Sequence, residues 1–172
     1  MIDKDENIAI KKAEKILSKF QSEYNKAWLK MMKNKIGLIE DHQNDIKLIS
    51  ELLNLMHVYK LDYTNTFLDL KNNKLNKHVF FKEWNVKYKD RKKLEKKYKD
   101  ILINIKEKTN PLIIPRNHIV EKYIKEAENN EYKNLINFLN LIKNPYDSKQ
   151  IPDDLKKTAT NEEKVFQTFC GT

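Results

Sequence analysis

The chain has 172 residues, 40% hydrophobic and 34% charged, with a net charge of +9. That length suits one domain with its own hydrophobic core. The composition excludes a disordered polymer, and no run approaches the roughly 18 apolar residues of a membrane span.

Asp3 or Asp5 is placed to cap a first helix whose apolar positions are Ala13, Ile16, Leu17, Phe20, Tyr24, Ala27, Trp28 and Met31. This helix either runs unbroken or divides near Gln21-Ser22. Gly37 stops it, where a left-handed residue is needed. A second helix starts at Asp41 or Asn44 and carries Ile46, Ile49, Leu52, Leu53 and Met56 on one face. Asp62 caps a third, with Phe67 and Leu70 inward, which frays at Lys71-Asn72-Asn73-Lys74. From Lys77 to Lys108 the pattern predicts one long charged element with a bend near Asp90. Its aromatic seam (Phe80, Phe81, Trp84, Tyr88) and its aliphatic seam (Leu94, Tyr98, Ile101, Leu102, Ile105) do not share a register.

Asn110-Pro111 ends that element, because proline disfavours helical backbone in the residue before it. The connector Leu112-Ile113-Ile114-Pro115 is expected to be extended. Asn117 is expected to cap a fifth helix with Val120, Tyr123, Ile124 and Ala127 inward. Asn129-Asn130 turns the chain into a sixth, with Leu135, Phe138, Leu139 and Ile142 buried, ending at Asn144-Pro145. Turn chemistry follows at Ile151-Pro152-Asp153-Asp154, then a short last segment, Lys164 to Phe169. The expected fold is all-α: an irregular bundle of about six helices over residues 3–144, with an extended proline-rich connector and a partly irregular tail over 145–172.

Chemistry-bearing patterns are few. Phosphate cradles crowd several glycines around an anion, and the only glycines are Gly37 and Gly171. His42, His57, His78 and His118 lack metal-ligand spacing, and Asp153-Asp154 reads as a solvated turn. Asp62 with Asn65 superficially has the look of a catalytic pair, yet a helix cap explains Asp62 better. Only Arg91 and Arg116 among 34 basic residues are arginine. Phosphate and base recognition favour arginine forks, so the lysine coat argues against nucleic acid. Arg116, in a stiff loop, suggests a planar bidentate partner: an acid on another helix, or a group outside the chain. Phe80, Phe81, Trp84 and Tyr88 among lysines read as core or a docked face, with base stacking as the alternative. Cys170 has no partner for an internal disulfide. It is either a small packed residue or an accessible regulatory thiol.

Five ordered landmarks carry a resemblance. They are Tyr24-(x)3-Trp28-(x)2-Met31-(x)3-Lys35-Ile36-Gly37-Leu38, Asp62-Tyr63-Thr64-Asn65-Thr66-Phe67, Asn110-Pro111-Leu112-Ile113-Ile114-Pro115-Arg116-Asn117-His118, Asn144-Pro145-Tyr146 and the terminal Thr168-Phe169-Cys170-Gly171-Thr172. Together they resemble the C-terminal region of the selenoprotein O (SelO/YdiU) family. That resemblance implies a kinase-like enzyme transferring AMP from ATP to protein hydroxyls, with ATP and magnesium held in a part for which this chain has no matching residues.

The chain itself is therefore expected to hold no cofactor and to be inactive alone. The implied partners are the kinase-like domain of the parent enzyme, or a split-gene equivalent, and the protein substrates of the full-length enzyme. Arg116, Asn117 and Trp84 are candidate inter-domain contacts. In the family the residue matching Cys170 can be a selenocysteine, and can pair with a cysteine of the kinase-like part as a redox latch. No membrane association is expected. Self-association through uncovered apolar surface is. The competing reading is a basic helical module that binds protein or RNA through its Lys87–Lys99 face. With no signal-peptide core behind Asp3-Lys4-Asp5-Glu6 and no arginine-rich transit pattern, a cytoplasmic location is the expectation.

Overall fold

The first and third helices of this chain begin where an aspartate accepts backbone amides that the helix leaves open. The computed structural model describes residues 4–147 and 151–164. Asp5 accepts hydrogen bonds from the Asn7 and Ile8 amides at 2.9 and 3.2 Å, so α1 (Glu6–Ile36) starts there. The helix passes Gln21-Ser22 without a break. It ends at Gly37, with φ 72° and ψ 53°, where the Gly37 and Leu38 amides return to the Asn34 and Lys33 carbonyls.

After the loop follow α2 (Asp45–Val58) and α3 (Tyr63–Lys71). Asp62 caps α3 as expected, accepting the Asn65 amide at 2.8 Å. The expected long fourth element is instead divided. Two short 3-10 turns lead into α4 (Lys82–Lys93), and a third, Lys96–Tyr98, separates it from α5 (Lys99–Thr109). The break falls beyond Asp90, where Arg91 and Glu95 turn into the interior and leave Leu94 exposed. Then come α6 (Asn117–Glu128), α7 (Lys133–Ile142) and a 3-10 turn at Asp153–Lys156. The fold is all-α, with seven α-helices and no strand among the described residues.

Apolar side chains gather in two clusters. The first joins Met32, Ile36 and Leu38 to Ile49, Leu52, Phe67, Phe81, Trp84 and Tyr88, drawing on α1 to α4. The second joins Ile113 of the connector to Ile119, Tyr123, Phe138, Ile151 and Leu155. Besides Leu94, four apolar positions expected inward in the later helices are exposed: Ile46, Ile101, Ile124 and Leu139. The larger departure is in α1. Ile16, Leu17, Phe20 and Tyr24 are 54–69% exposed, because the helix runs on past every element that packs against its C-terminal part.

At Gly37 any Cβ opposes the left-handed backbone that closes α1. Replacing Gly37 with alanine is expected to cost about 1–2 kcal/mol. Urea denaturation checks this: the midpoint should fall while the dependence on urea concentration stays the same.

Candidate functional site

The connector between the two clusters is the hub of the polar chemistry. Arg116 grips Asp62 with both ends of its guanidinium. Nη1 donates to Oδ2 at 2.7 Å and Nη2 to Oδ1 at 2.9 Å. The same Nη2 reaches Asn65 Oδ1 at 3.4 Å, and Asn65 Nδ2 donates to the Lys156 carbonyl at 3.1 Å. Asp62 thus caps α3 and holds the second cluster against the first. Burial works to raise the Asp62 carboxyl, but the Arg116 fork and the Asn65 amide outweigh it and leave the group below the usual carboxylate range.

Further along the connector, Asn110 donates to the Lys35 carbonyl at 2.8 Å, and the Leu112 amide to the Pro145 carbonyl at 2.7 Å. The Lys35 ammonium lies over the Tyr63 and Phe67 rings, 5.4 and 5.0 Å from their centroids. Four of the five sequence landmarks therefore meet one another through direct contacts. The fifth, with Cys170, lies outside the described residues.

A second ionic assembly sits beneath the loop joining α1 and α2. Arg91 Nε donates to Asp45 Oδ1 at 2.7 Å, Nη1 to Glu95 Oε1 at 2.8 Å and Nη2 to the Glu40 carbonyl at 2.7 Å. Glu95 also accepts the Ile39 and Glu40 amides, and Asp45 accepts that of His42. Buried Lys33 donates to the Ile39 carbonyl and to Asp41. Tyr88 donates to the Ile36 carbonyl at 2.6 Å and Lys92 to that of Gly37. Burial opposes the charge on Arg91, yet Asp45 and Glu95 override it and hold its pKa above the ordinary value. Every acid here is committed to a cation or to backbone amides, which suits a fixed loop and leaves no free base.

Sequence reasoning missed this assembly. The signal was present in the Arg91–Glu95 spacing of one helical turn and in the rarity of arginine.

The remaining candidates fall as follows. Trp84 is 2% exposed, stacks on Tyr88 at 4.9 Å and donates its indole N–H to the Leu48 carbonyl at 2.8 Å. Its ring is packed within this chain's own first cluster. Asn117 is exposed and forms the first residue of α6. Arg116 occupies the cap position, and no side chain caps that end. Arg116 itself is spent on Asp62.

The Lys87–Lys99 face offers little to a nucleic acid. Lys87 pairs with Glu51, Lys93 with Asp90 and Lys97 with Glu40, while Phe81, Trp84 and Tyr88 are buried. Among the described residues no three His, Cys, Asp or Glu side chains group as a metal site. No helix among them is long and apolar enough to cross a membrane.

The family described as protein adenylyltransferase SelO matches residues 5–144. The chain belongs to the SelO family. The protein nucleotidyltransferase YdiU of Clostridium perfringens is 38% identical over 169 residues, covering 95% of this chain and 34% of that protein. Its counterparts of the same name in Pelagibacter ubique and Bacillus mycoides are 35% and 36% identical. Each match covers 100% of this chain, and 37% and 36% of those proteins respectively. The chain thus spans about a third of the length of the curated relatives it matches.

Replacing Asp62 with alanine removes a helix cap and strands the Arg116 cation, so it should cost about 3 kcal/mol. Arg116→Lys should retain part of that, because one ammonium cannot form the fork. Both are checked by urea denaturation of each variant.

The pH dependence has a definite sign. Asp62 is more acidic folded than unfolded, so its contribution is complete above the ordinary carboxylate pKa of about 3.9 and is lost as pH falls through the folded value. Asp62→Asn should therefore show a shallower acid limb of stability than the native chain, and no difference in slope near neutrality.

Proposed function

We propose that this chain is the C-terminal helical part of a SelO-family protein adenylyltransferase, and that it braces a kinase-like part which binds ATP and magnesium and transfers AMP to serine, threonine or tyrosine hydroxyls. The observation that carries the reading is the fit of nearly the whole chain to the family at about a third of its relatives' length. Its polar landmarks serve internal fixation. With glycine at only two positions, the chain has no material for a phosphate loop. In this reading nucleotide and metal belong to residues outside the chain, and the helices supply a rigid support.

Cys170 belongs to the same proposal. Two residues from the end of the sequence, it serves as a thiol that pairs with a cysteine of the kinase-like part under oxidising conditions and releases it on reduction. Comparing Cys170→Ser with the native residue in a full-length enzyme, oxidised and reduced, tests this. Identical responses would reduce Cys170 to a packing residue.

Incorporation of labelled AMP decides the main reading. The isolated chain with ATP and magnesium should label no protein. The Clostridium perfringens relative should label its targets, and so should a chimera in which this chain replaces the matching segment. Labelling by the isolated chain, or an inert chimera that nevertheless folds, would sink the proposal. The chimera carrying Asp62→Ala should lose activity and thermal stability together, as expected of a brace.

A further inference from the structure

From Glu6 to Ala27, α1 is almost wholly uncovered among the described residues, yet this stretch is not patterned as a solvent-facing spacer. At about 100° per residue, Ala13, Ile16, Leu17, Phe20, Tyr24, Ala27 and Met31 form one continuous stripe roughly 100° wide. Its large members are well exposed: Ile16 66%, Leu17 69% and Phe20 65%. The Phe20 and Tyr24 rings already stack on each other at 6.1 Å. Trp28, Leu29, Met32 and Ile36, which α1 presents to its own core, centre on a face roughly 120° around the helix from this stripe and adjoin it at Trp28. The stripe is thus an apolar face that extends beyond the one the fold uses. Scattered exposed apolar residues need no explanation, whereas a contiguous row of them marks a contact surface.

Its edges differ in charge. One edge carries Lys19, Lys26 and Lys30, with Glu23 beside them. The other carries Glu14, Gln21 and Asn25, with Gln21 donating to the Asn25 side chain at 2.8 Å. Lys26 has only the surface carboxylate of Glu23 beside it, with both side chains about 70% exposed.

This asymmetry selects among occupants. In an antiparallel pair of identical helices like edges meet, so lysine would face lysine. In a parallel pair three lysines would face two amides and the single carboxylate of Glu14, which leaves most of the basic edge uncompensated. A second copy is therefore a poor match. What complements both the apolar row and its basic edge is an amphipathic helix edged with carboxylates.

We propose that the N-terminal part of α1 is a docking helix, and that its Ile16–Leu17–Phe20–Tyr24 stripe and Lys19–Lys26–Lys30 edge receive an acid-edged amphipathic helix from the part of the parent enzyme outside this chain. Only the whereabouts of that partner helix rests on the function proposed above. The surface and its chemistry stand on the geometry of α1.

The test uses the full 172-residue chain and two synthetic peptides of about 21 residues. Both have the same leucine face, one edged with glutamate and the other with lysine. Binding is followed by fluorescence anisotropy of the labelled peptides and by hydrogen exchange over residues 9–27. The glutamate-edged peptide should bind at least about tenfold tighter, a difference of about 1.4 kcal/mol, and should slow exchange in that stretch. The triple change Lys19→Glu, Lys26→Glu, Lys30→Glu should invert the preference. Leu17→Glu with Phe20→Glu should abolish binding of both peptides. These positions are exposed, so the variants should keep the native unfolding midpoint.

Equal or absent binding of the two peptides overturns the proposal. So does a dimer in sedimentation that Leu17→Glu with Phe20→Glu dissolves, or capture by phosphatidylserine vesicles without peptide preference. Peptide binding with an inert chimera would remove the proposed enzyme role and leave the docking helix standing. The converse would remove the docking helix alone.

Discussion

The bidentate pair between Arg116 and Asp62 governs how this chain is put together. The two apolar clusters are separate, so hydrophobic burial within each cannot by itself set their relation. That relation is set by a few directional contacts along one connector, of which the Arg116 fork is the strongest in kind: planar, charged, with both donors on one carboxylate and little exposure on either side. Asp62 serves two elements with one side chain, since the carboxylate that caps α3 is also the one Arg116 holds. Asn65 extends the arrangement by accepting from Arg116 and donating to Lys156. A stiff connector makes this possible, because Pro111 and Pro115 limit the backbone freedom that would otherwise have to be lost on docking.

The division of labour between arginine and lysine follows from the same geometry. Both arginines of the chain are in buried or nearly buried forks, each on carboxylates supplied by a different helix or by the same helix one turn away. The lysines mostly coat the surface, where an ammonium is hydrated and its pairs contribute little. Lys33 is the exception. It is buried because the α1–α2 loop offers it a carbonyl and two carboxylates at once. A charge of +9 therefore says little about partners here. What matters is which cations have been taken out of water, and those are occupied within the fold.

Much of the fold was legible because its punctuation is local. Asp5, Gly37, Asp62, Asn130 and the two Asn-Pro steps act through their own backbone neighbours, so their roles follow from sequence alone. The division of α4 from α5 was legible only as a mismatch of seams. Its position depended on Arg91 and Glu95 turning inward, which no pattern of apolar residues records. The bidentate partner of Arg116 was readable in kind, an acid on another helix, while its identity required the chain to be folded. Trp84 went the other way: helical spacing could not say whether its face met this chain's own core or a neighbour, and the Leu48 carbonyl settled it. Periodicity also described the stripe of α1 correctly while implying burial that the described residues do not provide, since amphipathicity reports that a face wants cover and is silent about where the cover comes from.

That last point bears on what kind of object the chain is. A helix that begins with a good cap and continues for 31 residues, with only its C-terminal part packed, is held by propensity and by its own side-chain pairs over most of its length. The free half of α1 keeps a coherent apolar row where a spacer would be polar all round. Selection for a solvent-exposed rod would have no use for Phe20 beside Tyr24 or for Leu17 beside Ile16. The internal staples of the connector and the uncovered face of α1 are then two sides of one design: polar contacts make the helical body rigid within itself, and apolar contact is reserved for what lies beyond it. A rigid body with one uncovered apolar face is physically suited to bracing a neighbour, which is the role proposed for it above.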